Sequence, residues 1–471
     1  MNRKTTSFAA LMFIAFLFFA CNNQSKQTNK DTEHNNNTTF YKAGSYQTIV
    51  CAEDTKESYT AYFPNAYNPN EKLPVIIVFD AHARGKLAAQ KFQKAADNFG
   101  YLIVASNNAK NGSKTIGHTV NVLFKDVLSR FKIDTKQIYT AGFSGGAKIA
   151  TSIAVQQGGI AGVISIAAGL PQAGQQISNY FNFASIVGIN DFNYLELNEL
   201  DKQIGTLGFA HNLFITDKGH EWPNDSTINS AVEWMQILAI KKGIVPSDDH
   251  MIRNYIDHVS IHINKLILED KVYRAKQEYE VFLSSLKNLI DISEYEKSYR
   301  TLLKNPNIKT QQSEFKKIAE QEGSKQQAYL NYFKNGQFNK IAQEIELQRK
   351  NILTKDFAQK HSAQRLINYI SMLSYLFTDS YIKQNNLQAA ENVLKIYKLA
   401  DKNNPDVYFF EASIYDKKAM DKKAISSLQK AVSLGFSDVD RLYNTQYFNR
   451  ISTLAEFDLI IQKAKKNFDN E

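Results

Sequence analysis

The stretch Tyr139-Thr-Ala-Gly142-Phe-Ser144-Gly-Gly146-Ala-Lys-Ile-Ala150 decides how the first half of the chain is read. A strand-like run, Gln137 to Ala141, meets a Gly-Phe-Ser-Gly-Gly turn, and an apolar, helix-like run from Ala147 to Val155 follows. A serine at such a strand–turn–helix corner is held in a strained conformation with its hydroxyl exposed, the setting of a G-x-S-x-G nucleophile. Strand and helix close on one another there only if the flanking positions carry almost no side chain, a need that Gly142, Gly145 and Gly146 meet. Ser144 is therefore the candidate nucleophile. The pattern is short, so its weight rests on what surrounds it.

Around this corner, short β-rich runs alternate with amphipathic helices. Gln47–Cys51 and Tyr59–Phe63 read as an opening strand pair, and Val75-Ile-Ile-Val-Phe79 as a strand apolar on both faces. Helical spacing over Leu87–Phe99 leads to a strand at Tyr101–Ala105, then to a helix over Val120–Phe131. Beyond the serine come strands at Gly162–Ala167, Ala184–Gly188 and Asn212–Ile215, then a helix over Ile228–Ile240. Such alternation specifies an α/β domain with a mostly parallel sheet of eight strands, the serine following the fifth.

Two further motifs stand after the later strands. Gly188-Ile-Asn190-Asp191 follows the seventh, and Lys218-Gly219-His220-Glu221-Trp222-Pro223 follows the eighth. With them, residues 40–245 resemble an α/β-hydrolase, whose chain order is Ser…Asp…His. The Gly-His-x-Trp-Pro turn is similar to the histidine loop of secreted esterases related to polyhydroxybutyrate depolymerases and feruloyl esterases. The resemblance implies Ser144 as nucleophile, His220 as its base and Asp191 as the acid that fixes the imidazole. A serine hydroxyl needs such a base within hydrogen-bond reach, and of the four histidines in residues 40–245 (His82, His118, His211 and His220) only His220 follows the last core strand. Asp217, three residues before His220, is the alternative acid and reads as a solvated turn residue.

An oxyanion hole takes two backbone N–H groups. Gly145 supplies one; the other comes from Phe79-Asp80-Ala81-His82-Ala83-Arg84-Gly85, where many relatives carry His-Gly, and stays open between Ala81 and His82. Asn107, Asn108, Asn111 and Gly112 form a polar loop after the fourth strand that either lines the same cleft or, the preferred reading, makes an Asn-Gly turn. Only about seventeen residues separate the sixth and seventh strands, too few for the lid this fold commonly inserts there, so the site is expected to be open from its own domain. No metal-ligand cluster or dinucleotide fingerprint is present in the sequence, so neither metal nor cofactor is implied.

Lys241-Lys-Gly-Ile-Val-Pro246-Ser-Asp-Asp249 breaks the pattern, and residues 250–471 read as helices throughout. Tyr381–Ala390 aligns with Tyr415–Ala424 at a period of 34, with Leu394 and Leu428 at matching offsets. That period resembles tetratricopeptide repeats, with degenerate units expected upstream in 250–370. Such a surface binds a protein partner or packs on a neighbouring domain.

At the other end, Arg3 and Lys4 precede a 13-residue apolar run, Phe8 to Ala20, followed by Cys21. That is a signal segment too short to span a bilayer. The cysteine placement resembles a bacterial lipoprotein signal, which implies cleavage after residue 20, lipid on Cys21, and a periplasmic or outer-membrane location. Residues 21–39 are polar almost throughout and read as a flexible tether. Cys51 is the only other cysteine, so a lipidated Cys21 leaves no disulfide within the chain. A formal charge of +9 comes from scattered lysines with no basic stripe, which argues against nucleic acid as partner. The expectation is a membrane-anchored serine hydrolase acting on an ester or acylated substrate. A peptidase with the same residues, or a non-catalytic scaffold recruiting partners through its repeats, are the alternatives.

Overall fold

A computed structural model of the protein describes residues 41–170 and 177–470. The proposed signal segment, Cys21 and the polar tether lie outside the described residues, as does part of the connection between the sixth and seventh strands. One sheet organises the first half: β1 (Ser45–Val50), β2 (Ser58–Phe63), β3 (Leu73–Asp80), β4 (Leu102–Ser106), β5 (Ile133–Phe143), β6 (Gly162–Ile166), β7 (Asn182–Gly188) and β8 (His211–Thr216). Their spatial order is β1-β2-β4-β3-β5-β6-β7-β8; β1 and β2 pair antiparallel, β2 joins β4 antiparallel, and every later pairing is parallel.

The sheet is covered on both faces. Along β3, Ile76 and Val78 join one apolar cluster while Val75, Ile77 and Phe79 join the other. Alternate side chains of a strand point to opposite faces, which explains why the run is apolar without a break. The first cluster takes in α1 (Gly85–Phe99) and α5 (Asp225–Lys241); the second takes in α2 (Ile116–Arg130), α3 (Gly145–Gln156) and α4 (Tyr194–Thr206). Cys51 is a buried free thiol, and burial pushes its pKa up to about 12.

From Asp249 onward the described residues are helical: α6 (Asp249–Leu268), α7 (Val272–Leu286), α8 (Ser293–Leu302), α9 (Asn307–Lys334), α10 (Phe338–Ile352) and α11 (Phe357–Lys383). There follow α12 (Leu387–Ala400), α13 (Pro405–Lys417), α14 (Asp421–Ser433), α15 (Val439–Tyr443) and α16 (Ala455–Asn470). Among the described residues no helix is long and apolar enough to cross a membrane.

The charged Lys241–Asp249 linker does not interrupt the core. Ile252, Tyr255, Val272, Tyr279 and Phe282 belong to the same cluster as Trp234 and Ile237 of α5, and Trp234 Nε1 donates to Ser285 Oγ at 2.9 Å. Helices α6–α8 thus extend the core of the sheet half, while α12–α16 build one of their own around Phe409, Phe410 and Phe448.

The 34-residue period has a structural counterpart. Asn385 and Ala419 stand at equivalent helix ends with φ of 58° and 56°, and the following amides, Asn386 and Met420, donate to Tyr381 and Tyr415 carbonyls at 2.8 and 2.9 Å. This is the left-handed C-cap that closes a helix and turns the chain. The same closure joins α6 to α7 at Asp270 and α9 to α10 at Gly336.

Candidate active site

The loops after β3, β5, β7 and β8 converge at the carboxyl ends of the parallel strands, where open α/β sheets bind ligands. Ser144 sits between β5 and α3 with φ 55° and ψ −117°, a left-handed conformation that costs a non-glycine residue about 1–3 kcal/mol. The neighbouring glycines make it possible. A Cβ on Gly146 would strike the Phe79 carbonyl, and one on Gly142 would strike the carbonyl of Gly146.

His220 faces the serine. Its Nε2 lies 3.0 Å from Ser144 Oγ, and its Nδ1 lies 3.1 and 3.0 Å from the two carboxylate oxygens of Asp191. Since Asp191 accepts, Nδ1 carries the proton and Nε2 turns its lone pair toward the hydroxyl, as a general base requires. Asp191 is fully buried and also accepts the Asn193 N–H at 2.8 Å, so its orientation is fixed from two directions. Phe192 stacks on the imidazole at 4.3 Å, and Phe143 lies against it at 5.1 Å. Those rings restrict the swing of His220.

In the loop after β3 the two candidate amides differ in their hydrogen bonding. The His82 N–H donates to Asp80 Oδ1 at 2.8 Å and is engaged there. The Ala81 N–H has no hydrogen-bond acceptor among the described residues, and its carbonyl accepts from the Asn111 amide at 2.9 Å. Gly145 opens α3, where helix amides have no partner within the helix. Among the described residues the amides of Gly145 and Ala81 thus have no protein acceptor, whereas that of His82 is engaged.

Asp80 holds this loop in place. Burial pushes its carboxyl up, but the Arg84 guanidinium, with hydrogen bonds of 2.9 and 3.0 Å, and the His82 amide outweigh that and hold it below the usual 3.8. Its Oδ2 also accepts from Trp222 Nε1 at 3.0 Å. One buried carboxylate thus ties the oxyanion side of the site to the histidine loop.

Several neighbours carry more than the sequence reading gave them. Asn111, read as part of a turn, sits with its side chain against Gly145, and any Cβ there would collide with it. The acid loop, meanwhile, is gripped from the helical half. Arg365 Nη1 donates to the Ile189 carbonyl at 2.8 Å and Asn368 Nδ2 to the Asn190 carbonyl at 2.7 Å, while His361 Nδ1 meets Asn190 Oδ1 at 2.7 Å. Burial, aided by Arg365, Lys360 and Lys271, lowers the His361 pKa, and because the Asn190 Oδ1 only accepts, the His361 Nδ1 is the donor. On the opposite flank, His82 Nδ1 lies 3.8 Å from Asp438, and Lys110 pairs with Asp440. A cavity of about 610 Å³ opens there between the loop after β3 and residues 435–441.

Asp217 is exposed, and His211 pairs with Asp201 at 2.9 Å away from the serine. Asp54, Glu57 and His118 offer ligand atoms within 4.8 Å of one another at the β1–β2 loop, where His118 Nε2 and Asp54 pair directly at 2.9 Å.

No family model matches the chain, and no curated protein matches it in sequence. Solved structures do match, over the N-terminal part. The S-formylglutathione hydrolase of Staphylococcus aureus is 12% identical with a TM-score of 0.35, covering 41% of this chain and 98% of its own. An esterase of Pyrobaculum calidifontis is 14% identical with a TM-score of 0.33, covering 42% of this chain and 85% of its own. Esterase 2 of Thermogutta terrifontis, solved phosphorylated by paraoxon, is 10% identical with a TM-score of 0.34, covering 43% of this chain and 96% of its own.

Proposed function

We propose that this protein is a serine hydrolase that cleaves a carboxylic ester through a covalent acyl-enzyme. The observation that carries the reading is the unbroken line from Ser144 Oγ through both nitrogens of His220 to the buried Asp191, with the serine in its strained corner conformation. As Ser144 Oγ attacks the acyl carbonyl, His220 Nε2 takes its proton and Asp191 stabilises the resulting imidazolium. The amides of Gly145 and Ala81 receive the negative charge that develops on the carbonyl oxygen. Collapse expels the alcohol, which leaves with the proton from His220. Water, activated by the same imidazole, then releases the acid and restores the serine.

The membrane-tethered location belongs to the same proposal and rests on the Arg3–Cys21 segment. Ser144→Ala tests the chemistry. Hydrolysis of p-nitrophenyl acetate is expected to fall by about a millionfold, and covalent labelling by a fluorophosphonate probe to vanish. Labelling that persists in this variant sinks the proposal.

A further inference from the structure

His361, Arg365 and Asn368 are spaced four and three apart, so they share one face of α11. That face lies on the segment that carries Asp191. Its contacts bracket the acid along the chain: Arg365 and Asn368 hold the carbonyls of Ile189 and Asn190 just before it, and the guanidinium covers the Tyr194 ring, 4.5 Å away, just after it. Tyr194 is tied to the acid directly, since its amide donates to the Asp191 carbonyl at 2.9 Å.

Arg365 is itself immobilised. Its Nε donates to both oxygens of Glu322 at 2.9 and 3.1 Å, a second nitrogen reaches Glu322 Oε2 at 2.6 Å, and the two side chains are 4% and 0% exposed. A guanidinium fixed by a two-pronged carboxylate can hold a third acceptor with little freedom. The histidine loop shares the arrangement. Asn190 N–H donates to the Lys218 carbonyl at 3.0 Å, and Gly188 packs directly on the Lys218 and Gly219 backbone. A shift of Ile189 or Asn190 would therefore move Asp191 relative to His220.

We propose that α11 is a clamp on the acid loop, with Arg365 and Asn368 as positioning residues that keep Asp191 aligned with His220. The inference rests on the serine-hydrolase reading above. It makes the helical half part of the apparatus that activates Ser144.

The test is the rate of fluorophosphonate labelling in the full chain, which needs no known substrate. Asn368→Ala removes the Asn190 contact from a half-buried position, and Arg365→Met removes the Ile189 contact. Misplacement by about 1 Å costs up to roughly a hundredfold in such chemistry, so the maximal labelling rate should fall about ten- to a hundredfold. The probe concentration at half-saturation should stay unchanged. Leu373→Ala, which removes buried volume from the same helix away from the loop, serves as the control: its Tm should drop with no change in labelling. If Arg365→Met fails to fold, Asn368→Ala alone decides. Wild-type labelling rates in a folded Asn368→Ala variant, or a loss in Leu373→Ala as large as in Asn368→Ala, overturn the clamp. Absence of labelling in the wild-type chain overturns instead the hydrolase reading on which it rests.

Discussion

The helical half meets the two flanks of the site in different ways. On the acid side, the contacts are buried and directional: Arg365 and Glu322 are 4% and 0% exposed, and the recipients are backbone carbonyls. On the oxyanion side, two of the contacts are ion pairs between side chains at least partly open to water. His82 and Asp438 are 49% and 25% exposed at 3.8 Å, and Lys110 and Asp440 are 46% and 74% exposed. Charges screened by water attract weakly, whereas a buried charge that loses its partner is heavily penalised. The acid flank is therefore held by buried, directional contacts, while these two pairs on the oxyanion flank part at little cost. The 610 Å³ cavity lies on the second flank.

The largest effect expected from breaking this asymmetry lies in the buried pair. Arg365→Met leaves Glu322 charged, buried and unpartnered, a change that costs about 3–5 kcal/mol. Replacing both partners, as Arg365→Met with Glu322→Leu, should recover most of that stability, because an apolar pair of similar volume is often as stable as the ions. Urea unfolding midpoints of the single and double variants measure the difference. A single variant as stable as wild type would show that the Glu322 pair does not anchor the guanidinium that grips the acid loop.

How much of this was readable in the chain follows from where the signals lie. The Ser144 corner, the Asp191 loop and the His220 loop each follow a strand with its own turn chemistry, so their order along the chain was visible. The choice between Ala81 and His82 was not, since it depends on the Asp80 side chain folding back to take the His82 amide. Asn111 read as a turn because an Asn-Gly pair is a turn; nothing local says that its side chain rests on Gly145. The α11 contacts were beyond reach for a plainer reason. Their acceptors are carbonyls more than 170 residues away, and every residue has a carbonyl. The helical hairpins lie between these cases. Tyr381 and Tyr415 repeat in sequence, but the shared turn is set by one left-handed residue, and Asp270, Gly336, Asn385 and Ala419 fill that place with four different side chains.

A middle-sized effect is expected at Asp80, the buried tie on the oxyanion flank's own side of the site. Asp80→Asn keeps the shape but turns an amide N–H₂ toward Arg84 or Trp222, leaving donors facing donors at a cost of about 1–3 kcal/mol. The pH dependence has a definite sign. The folded pKa of Asp80 lies below 3.8, so its stabilisation is complete above the unfolded value and is lost as pH falls through the folded one. The stability gap between wild type and Asp80→Asn should stay constant from about pH 5 to about pH 8 and close only below about pH 4. Denaturant midpoints across that range test it. A gap that narrows near neutrality would mean that another group carries the effect.

The smallest effect belongs to the exposed pairs, and it sharpens the comparison most. Asp440→Asn should change stability by less than about 1 kcal/mol, since its pair with Lys110 is open to water and screened, and Asp438→Asn should cost little more, because the amide oxygen can still accept the Arg441 N–H at the start of α15. Burial pushes the Asp438 carboxyl up, yet His82 and Arg441 hold it below its usual value, so it is an anion at neutral pH, and the exposed Lys110–Asp440 pair beside it answers to salt. Raising ionic strength from about 0.01 M to about 1 M shrinks the screening length from about 30 Å to about 3 Å. Wild-type stability should drift toward that of the double variant over this range, while the Arg365→Met deficit stays the same size. A salt-independent difference at Asp438 and Asp440 would mean that the oxyanion flank is as firmly joined as the acid flank, and the cavity between the halves would then be a rigid pocket.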